Sequence, residues 1–117
     1  MKEKNCVFCK IARKEHSAVY IKETNNFIAF LDAHPKTKGH SLVIPKRHYA
    51  TILDIPEKLA EEMLDIIKKI SLHTLEKKQG DGFNILMNNL APAGQAVMHA
   101  HIHIIPRKED DGIKIIS

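Results

Sequence analysis

Three histidines alternate with apolar residues in His99-Ala100-His101-Ile102-His103-Ile104-Ile105. Alternate side chains of an extended strand share a face. The three imidazoles therefore line one side, while Ala100, Ile102 and Ile104 point to the other, toward a core under a helix. Such a row can hold a metal, bind an anion, or supply a nucleophile with helpers. The plain alternative is a set of satisfied polar residues on a wet face. Imidazole suits the nucleophilic use: it attacks when neutral, and its ordinary pKa of about 6.5 leaves much of it neutral at pH 7.

A second group stands at the N-terminal end, where Cys6 and Cys9 form a CxxC. That spacing suits one metal ion or a redox dithiol better than a structural disulfide. A thioredoxin-like dithiol belongs between a strand and a helix, yet only five residues precede Cys6. With eight histidines in the chain, a CxxC completed by two of them is a zinc hypothesis.

These residues need a scaffold, and 117 residues suit one domain, taken as 1–117. The chain is 44% hydrophobic and 27% charged, which argues against a disordered or low-complexity segment. No apolar run approaches the roughly 20 residues of a membrane span, and the start, Met1-Lys2-Glu3-Lys4-Asn5, does not lead into a signal-peptide core. A cytoplasmic protein without a membrane partner is expected. The net charge of +4 is mild, and aromatic residues are 5% of the chain, so a nucleic-acid face is not expected.

Val7 to Lys14 reads as a short helical stretch with one apolar face. Val19–Glu23 and Phe27–Leu31, joined by Thr24-Asn25-Asn26, read as a hairpin. His40–Pro45 reads as a third strand ended by proline. Asp54-Ile55-Pro56-Glu57 reads as a helix start, with Asp54 or a neighbour as cap and Pro56 near N1. Leu59, Met63, Ile66, Ile67, Ile70 and Thr74 then recur at helical spacing as a core stripe, and the helix ends near Gly80 with Lys77 and Lys78 in its last turn. Phe83–Asn88 is the fourth strand, Ala91–Gly94 a loop, and His99–Ile105 the fifth strand, ended by Pro106. Antiparallel strands with one long and one short helix make an α+β domain.

Together these segments resemble the histidine triad (HIT) superfamily of nucleotide hydrolases and transferases, and are most similar to its Hint-like branch. The resemblance is carried by the His-apolar-His-apolar-His-apolar-apolar run, by Gly94-Gln95-Ala96-Val97-Met98 before it, and by Lys38-Gly39-His40-Ser41-Leu42-Val43-Ile44-Pro45-Lys46-Arg47-His48. Cys6-Val7-Phe8-Cys9-Lys10-Ile11 and Ala29-Phe30-Leu31-Asp32 complete it, four blocks in the right order.

The resemblance implies a HIT-like fold with a sheet of about five antiparallel strands. It implies that His101 attacks the α-phosphorus of an AMP- or GMP-type nucleotide, forming a nucleotidyl-histidine that water then hydrolyses. The backbone carbonyl of His99 would hold the proton of His101's other ring nitrogen. His103 would donate to phosphate oxygens and the leaving group, His40 would support the row from behind, and Asn88 and Gln95 would add neutral donors. Asp32 would accept from ribose hydroxyls, and Val7, Phe8, Ile11, Phe30 and Ala33 would wall the base pocket. Cys6, Cys9, His48 and His99 would hold a structural zinc ion, a closed Cys₂His₂ set that takes His99 out of the chemistry. His16, His34 and His73 are left as surface residues. A purine-nucleotide phosphoramidase-like hydrolase is the reading; a nucleotide-binding or scaffold module with vestigial catalysis is the alternative, and a catalytic metal on the three histidines is a second. The branch also implies a homodimer, with the long helix and fifth strand meeting their mates and the apolar tail Gly112–Ile116 at the interface. Two departures stand out: Ala96 replaces a serine common in the branch, and the tail has no tryptophan.

Overall fold

The computed structural model describes residues 5–115. Its elements are α1 (Val7–Ala12), β1 (Tyr20–Glu23), β2 (Phe27–Leu31), β3 (Ser41–Pro45), α2 (Ala60–Glu76), β4 (Gly82–Leu86) and β5 (Ile102–Arg107). Short 3-10 turns occupy Ile52–Asp54, Glu57–Leu59 and Ala91–Ala93. All strand pairs are antiparallel, and the sheet order is β1-β2-β3-β5-β4. This is the expected α+β architecture.

Period-2 alternation divides the sheet into two apolar faces. Phe27, Ala29, Val43, Ile102 and Ile104 meet Ile66, Ile67 and Ile70 of α2. Ile28, Phe30, Leu42 and Ile44 turn the other way, toward Phe8 and Ile11 of α1. The helical stripe lies where its spacing puts it, with Leu59 and Met63 partly buried against the same cluster and Thr74 buried. The Glu62 carboxylate reaches from α2 to the β1–β2 turn, accepting from Asn26 N at 2.7 Å and Asn26 Nδ2 at 2.8 Å.

Several features differ from expectation. The long helix does not start at Asp54 and Pro56. Asp54 instead closes a capping box on Thr51, and two 3-10 turns precede α2, whose N-cap is Leu59 without a side-chain bond. Pro106 does not end β5. Beyond Ile104, β3 has no residue left to pair, so the side of Pro106 that lacks an N–H faces no ladder, and its carbonyl accepts from Thr37 Oγ1 at 2.7 Å. The regular part of β5 starts at Ile102, because Ala100 N–H donates outside the ladder, to Tyr49 O at 2.6 Å. Finally, β5 lies inside the sheet and the edges are β1 and β4, so the fifth strand cannot extend the sheet into a second copy. Of the apolar tail, Ile116 lies outside the described residues.

Candidate functional site

His103 stands on β5 opposite Leu42 of β3, a residue of the α1-side core, so its side chain shares that face of the sheet. His101 and His99 precede the regular part of the strand, His99 at a bend in the chain. His99 is fully buried and His101 nearly so. The Phe8 ring packs edge-on against His101, with centroids 5.0 Å apart, and against His99 at 5.9 Å.

Hydrogen-bond partners that can only donate or only accept fix the ring protons. His101 Nδ1 lies 2.8 Å from His99 O; a carbonyl accepts, so Nδ1 carries the proton and Nε2 keeps its lone pair. His99 Nε2 lies 2.8 Å from Pro45 O and donates to it, so Nδ1 keeps its lone pair. On His40, Nδ1 accepts from Lys36 N–H at 3.0 Å. The neutral ring therefore carries its proton on Nε2, 3.0 Å from His103 Nδ1. His103 accepts there, which leaves its own proton on Nε2. The Lys36 amide thus orients His103 through His40.

Asp32 adds a carboxylate to this pair. Its Oδ2 is 3.4 Å from His40 Nε2 and 4.0 Å from His103 Nδ1, while Oδ1 accepts from His34 N at 2.9 Å. Burial nevertheless dominates: it holds His40 below its ordinary pKa and His103 down at about 4, helped by the neighbouring His101 and His40. Both imidazoles stay neutral near pH 7, against the pull of Asp32.

The other expected residues divide. Phe8, Ile11 and Phe30 are almost wholly buried, Val7 is half-buried and Ala33 exposed. Asn88 follows β4. Continuing the register that pairs Gly82 with Arg107 and Leu86 with His103 sets it across from His101. A correction applies to Gln95. Its Nε2 donates to Ala50 O at 2.6 Å and Val97 O at 3.0 Å, and its Oε1 accepts from Leu90 N at 2.6 Å. Both amide hydrogens are spent inside the protein, so Gln95 clamps the loop instead of offering a donor to phosphate. Lys36 N and Pro45 O were not foreseen; as backbone groups they leave no mark in residue type.

The donor atoms of Cys6, Cys9, His48 and His99 lie within 4.8 Å of one another. Cys6 Sγ is 3.4 Å from His99 Nδ1, Cys9 Sγ 3.3 Å from His48 Nδ1, and Cys9 Sγ 3.5 Å from His99 Nδ1. A tetrahedral zinc site with Zn–S of about 2.3 Å and Zn–N of about 2.05 Å has S···N edges of about 3.6 Å, so the donor set fits that ion. Burial holds the His99 imidazole down at about 4, in the neutral form a metal takes, and Pro45 O supplies the outer hydrogen bond that orients it. Burial also pushes the Cys6 thiol up; metal binding would displace that proton. Among the described residues, Asp32, His40 and His103 form a separate group, and no group joins His99, His101 and His103. A catalytic metal on the three histidines does not match this arrangement.

A five-stranded sheet with a histidine row at one end, set beside a Cys₂His₂ cluster, is the arrangement of a histidine triad protein. The HIT domain matches residues 13–110, and the chain belongs to the HIT family. It is 43% identical over 109 residues to an adenylylsulfatase of Arabidopsis thaliana, a match covering 93% of this chain but only 55% of that protein. It is 36% identical over 110 residues to an adenosine 5'-monophosphoramidase of Candida albicans, covering 91% of this chain and 72% of the other. The structure superposes with a TM-score of 0.88 on a Zn-bound histidine triad family protein from Mycobacterium smegmatis, at 37% identity over 95% of this chain and 81% of that one. Hydrolase is the class of activity this kinship supports. No helix among the described residues is long and apolar enough to cross a membrane.

Proposed function

We propose that this protein is a nucleotidyl hydrolase that cleaves AMP- or GMP-type nucleotides from an amine or related leaving group through a covalent intermediate on His101. The observation that carries the reading is the 2.8 Å bond from His101 Nδ1–H to His99 O, which leaves Nε2 as a neutral nucleophile. In the first step the Nε2 lone pair forms a bond to the α-phosphorus and the phosphorus–leaving-group bond breaks. His103 Nε2–H donates a hydrogen bond to the departing nitrogen, which takes its proton from a water molecule and leaves as the neutral amine. The hydroxide left by that water then attacks the nucleotidyl-histidine, breaks the phosphorus–Nε2 bond, and releases the nucleotide and neutral His101. Asn88 donates to a phosphate oxygen, and Asp32 accepts from the ribose. Val7 and Ala33 flank a purine, with Phe8, Ile11 and Phe30 as its floor; apolar walls grip a ring face with little base selectivity.

In the same reading Cys6, Cys9, His48 and His99 hold one structural zinc ion, with no open position for substrate. The relatives named for adenylyl sulfate and for an AMP phosphoramidate support the substrate class. A pair of cysteines that holds a metal suits a reducing, cytoplasmic setting.

The test is His101→Ala. It should lower turnover of adenosine 5'-phosphoramidate by at least about 10³-fold while nucleotide binding survives, and mass spectrometry should place an acid-labile nucleotidyl adduct of the wild type on His101. Full activity in the variant, or an adduct elsewhere, would overturn the mechanism.

A further inference from the structure

Leu90 adopts φ 75° and ψ 156°, a backbone region essentially reserved for glycine. The other non-glycine residues at positive φ (Lys14, Lys78 and Asp110) lie at 57–62°. The loop holds Leu90 through both of its backbone polar groups. Its N–H donates to Gln95 Oε1 at 2.6 Å, and its carbonyl accepts from Ala93 N at 3.1 Å and Gln95 N at 3.2 Å. Gln95 is in turn anchored to Ala50 and Val97. Glycine would take this conformation without strain, and burial does not offset the strain at Leu90, a residue 51% exposed. A strained residue with an exposed apolar side chain gains nothing from the fold itself, so its use lies in what comes to it from outside.

Its surroundings say what that is. The side chain of the preceding residue, Asn89, accepts from Ile52 N at 2.8 Å, which ties this loop to a turn carrying two more exposed apolar residues, Ile52 and Leu53. The sheet order sets β2 and β4 on opposite sides of β5. Asp32 follows β2, and the loop of Leu90 follows β4. A nucleotide held by Asp32 with its phosphorus at His101 and His103 thus directs its leaving group toward Leu90. The inference rests on the hydrolase reading given above. We propose that Leu90 is a specificity-determining residue, which with Ile52 and Leu53 forms an apolar lip that receives the alkyl or aryl part of an amine leaving group.

The experiment compares kcat/KM of the full chain on two substrates, unsubstituted adenosine 5'-phosphoramidate and its N-hexyl derivative, for wild type, Leu90→Gly and Leu90→Ala. Wild type should prefer the hexyl substrate. Both variants should lose about tenfold on it, the scale of a few methylene contacts, and stay within about twofold on the unsubstituted one. Leu90→Gly, which relieves the strain, should also melt no lower than wild type, whereas Leu90→Ala keeps the strain and should not gain. Equal losses on both substrates, or none on the hexyl one, would overturn the proposal. So would an unchanged preference accompanied by weaker self-association in sedimentation, since a second copy would then be what covers Leu90. If wild type hydrolyses neither substrate, the hydrolase reading itself fails and this inference falls with it.

Discussion

His40 and His103 are neutral imidazoles in the fold because burial outweighs the nearby Asp32 carboxylate. The sign of their linkage follows. Each has a folded pKa below its unfolded one, so protonation opposes folding: stability is fully present above about pH 6.5 and is lost as pH falls through the folded value. For His103, at about 4, the full effect is at most about 3 kcal/mol. Thermal melts from pH 7.5 down to pH 4 should show a drop below pH 6.5 that is smaller in His103→Gln, which has no proton to take up. A melting temperature independent of pH over that range would contradict the assignment. At this scale residue type and spacing made the histidine row and the CxxC legible. The proton positions were not legible, because Lys36 N–H, His99 O and Pro45 O set them, and every residue has such groups. Only the resemblance pointed to His99 O. Gln95 misled for a related reason: an amide next to a phosphate motif can equally bond its own loop.

The loop from Asn88 to Val97 has little regular structure beyond one 3-10 turn, and Gln95 is its internal tie. Gln95→Leu would leave Leu90 N and the carbonyls of Ala50 and Val97 short of partners, a loss of about 2–3 kcal/mol that should lower Tm by roughly 10 °C. Calorimetry checks this, and an unchanged Tm would show that the loop does not depend on the clamp. The short helix α1 is tied differently. Six residues make too little helix to stand alone, and its packing through Phe8 and Ile11 is supplemented by Cys6 and Cys9 against His48 and His99. Cys6→Ser with Cys9→Ser should abolish an otherwise one-to-one zinc content by elemental analysis and lower Tm, whereas brief chelation should leave the reaction running until the fold loosens. The elements themselves were legible wherever one face is apolar at a clear period, as in β2 and α2. Their ends were not: the start of α2 and the persistence of β5 through Pro106 depend on where β3 stops and on which carbonyl Ala100 finds.

Taken whole, the molecule leaves β4 as an edge strand beside an apolar groove of about 540 Å³ lined by Leu64, Leu72, Leu75, Phe83 and Ile85. An unpaired edge next to exposed leucines is a surface that self-association can cover. The homodimer reading therefore keeps the long helix α2 and exchanges the fifth strand for β4. Ile85→Glu with Leu72→Glu should convert a species of about twice 13.3 kDa to monomer in sedimentation equilibrium, and a wild-type monomer at micromolar concentration would remove the reading. The two faces of the sheet are also held unequally. The 17-residue α2 covers one face by packing, while the six-residue α1 covers the other with help from a four-residue cluster. Local opening should follow that inequality. In hydrogen exchange after metal removal, amides of 7–13, 46–50 and 98–101 should speed up together, while those of β2, β3 and α2 keep the protection of the global fold. His101 would then be released from its setting while most of the sheet remains intact.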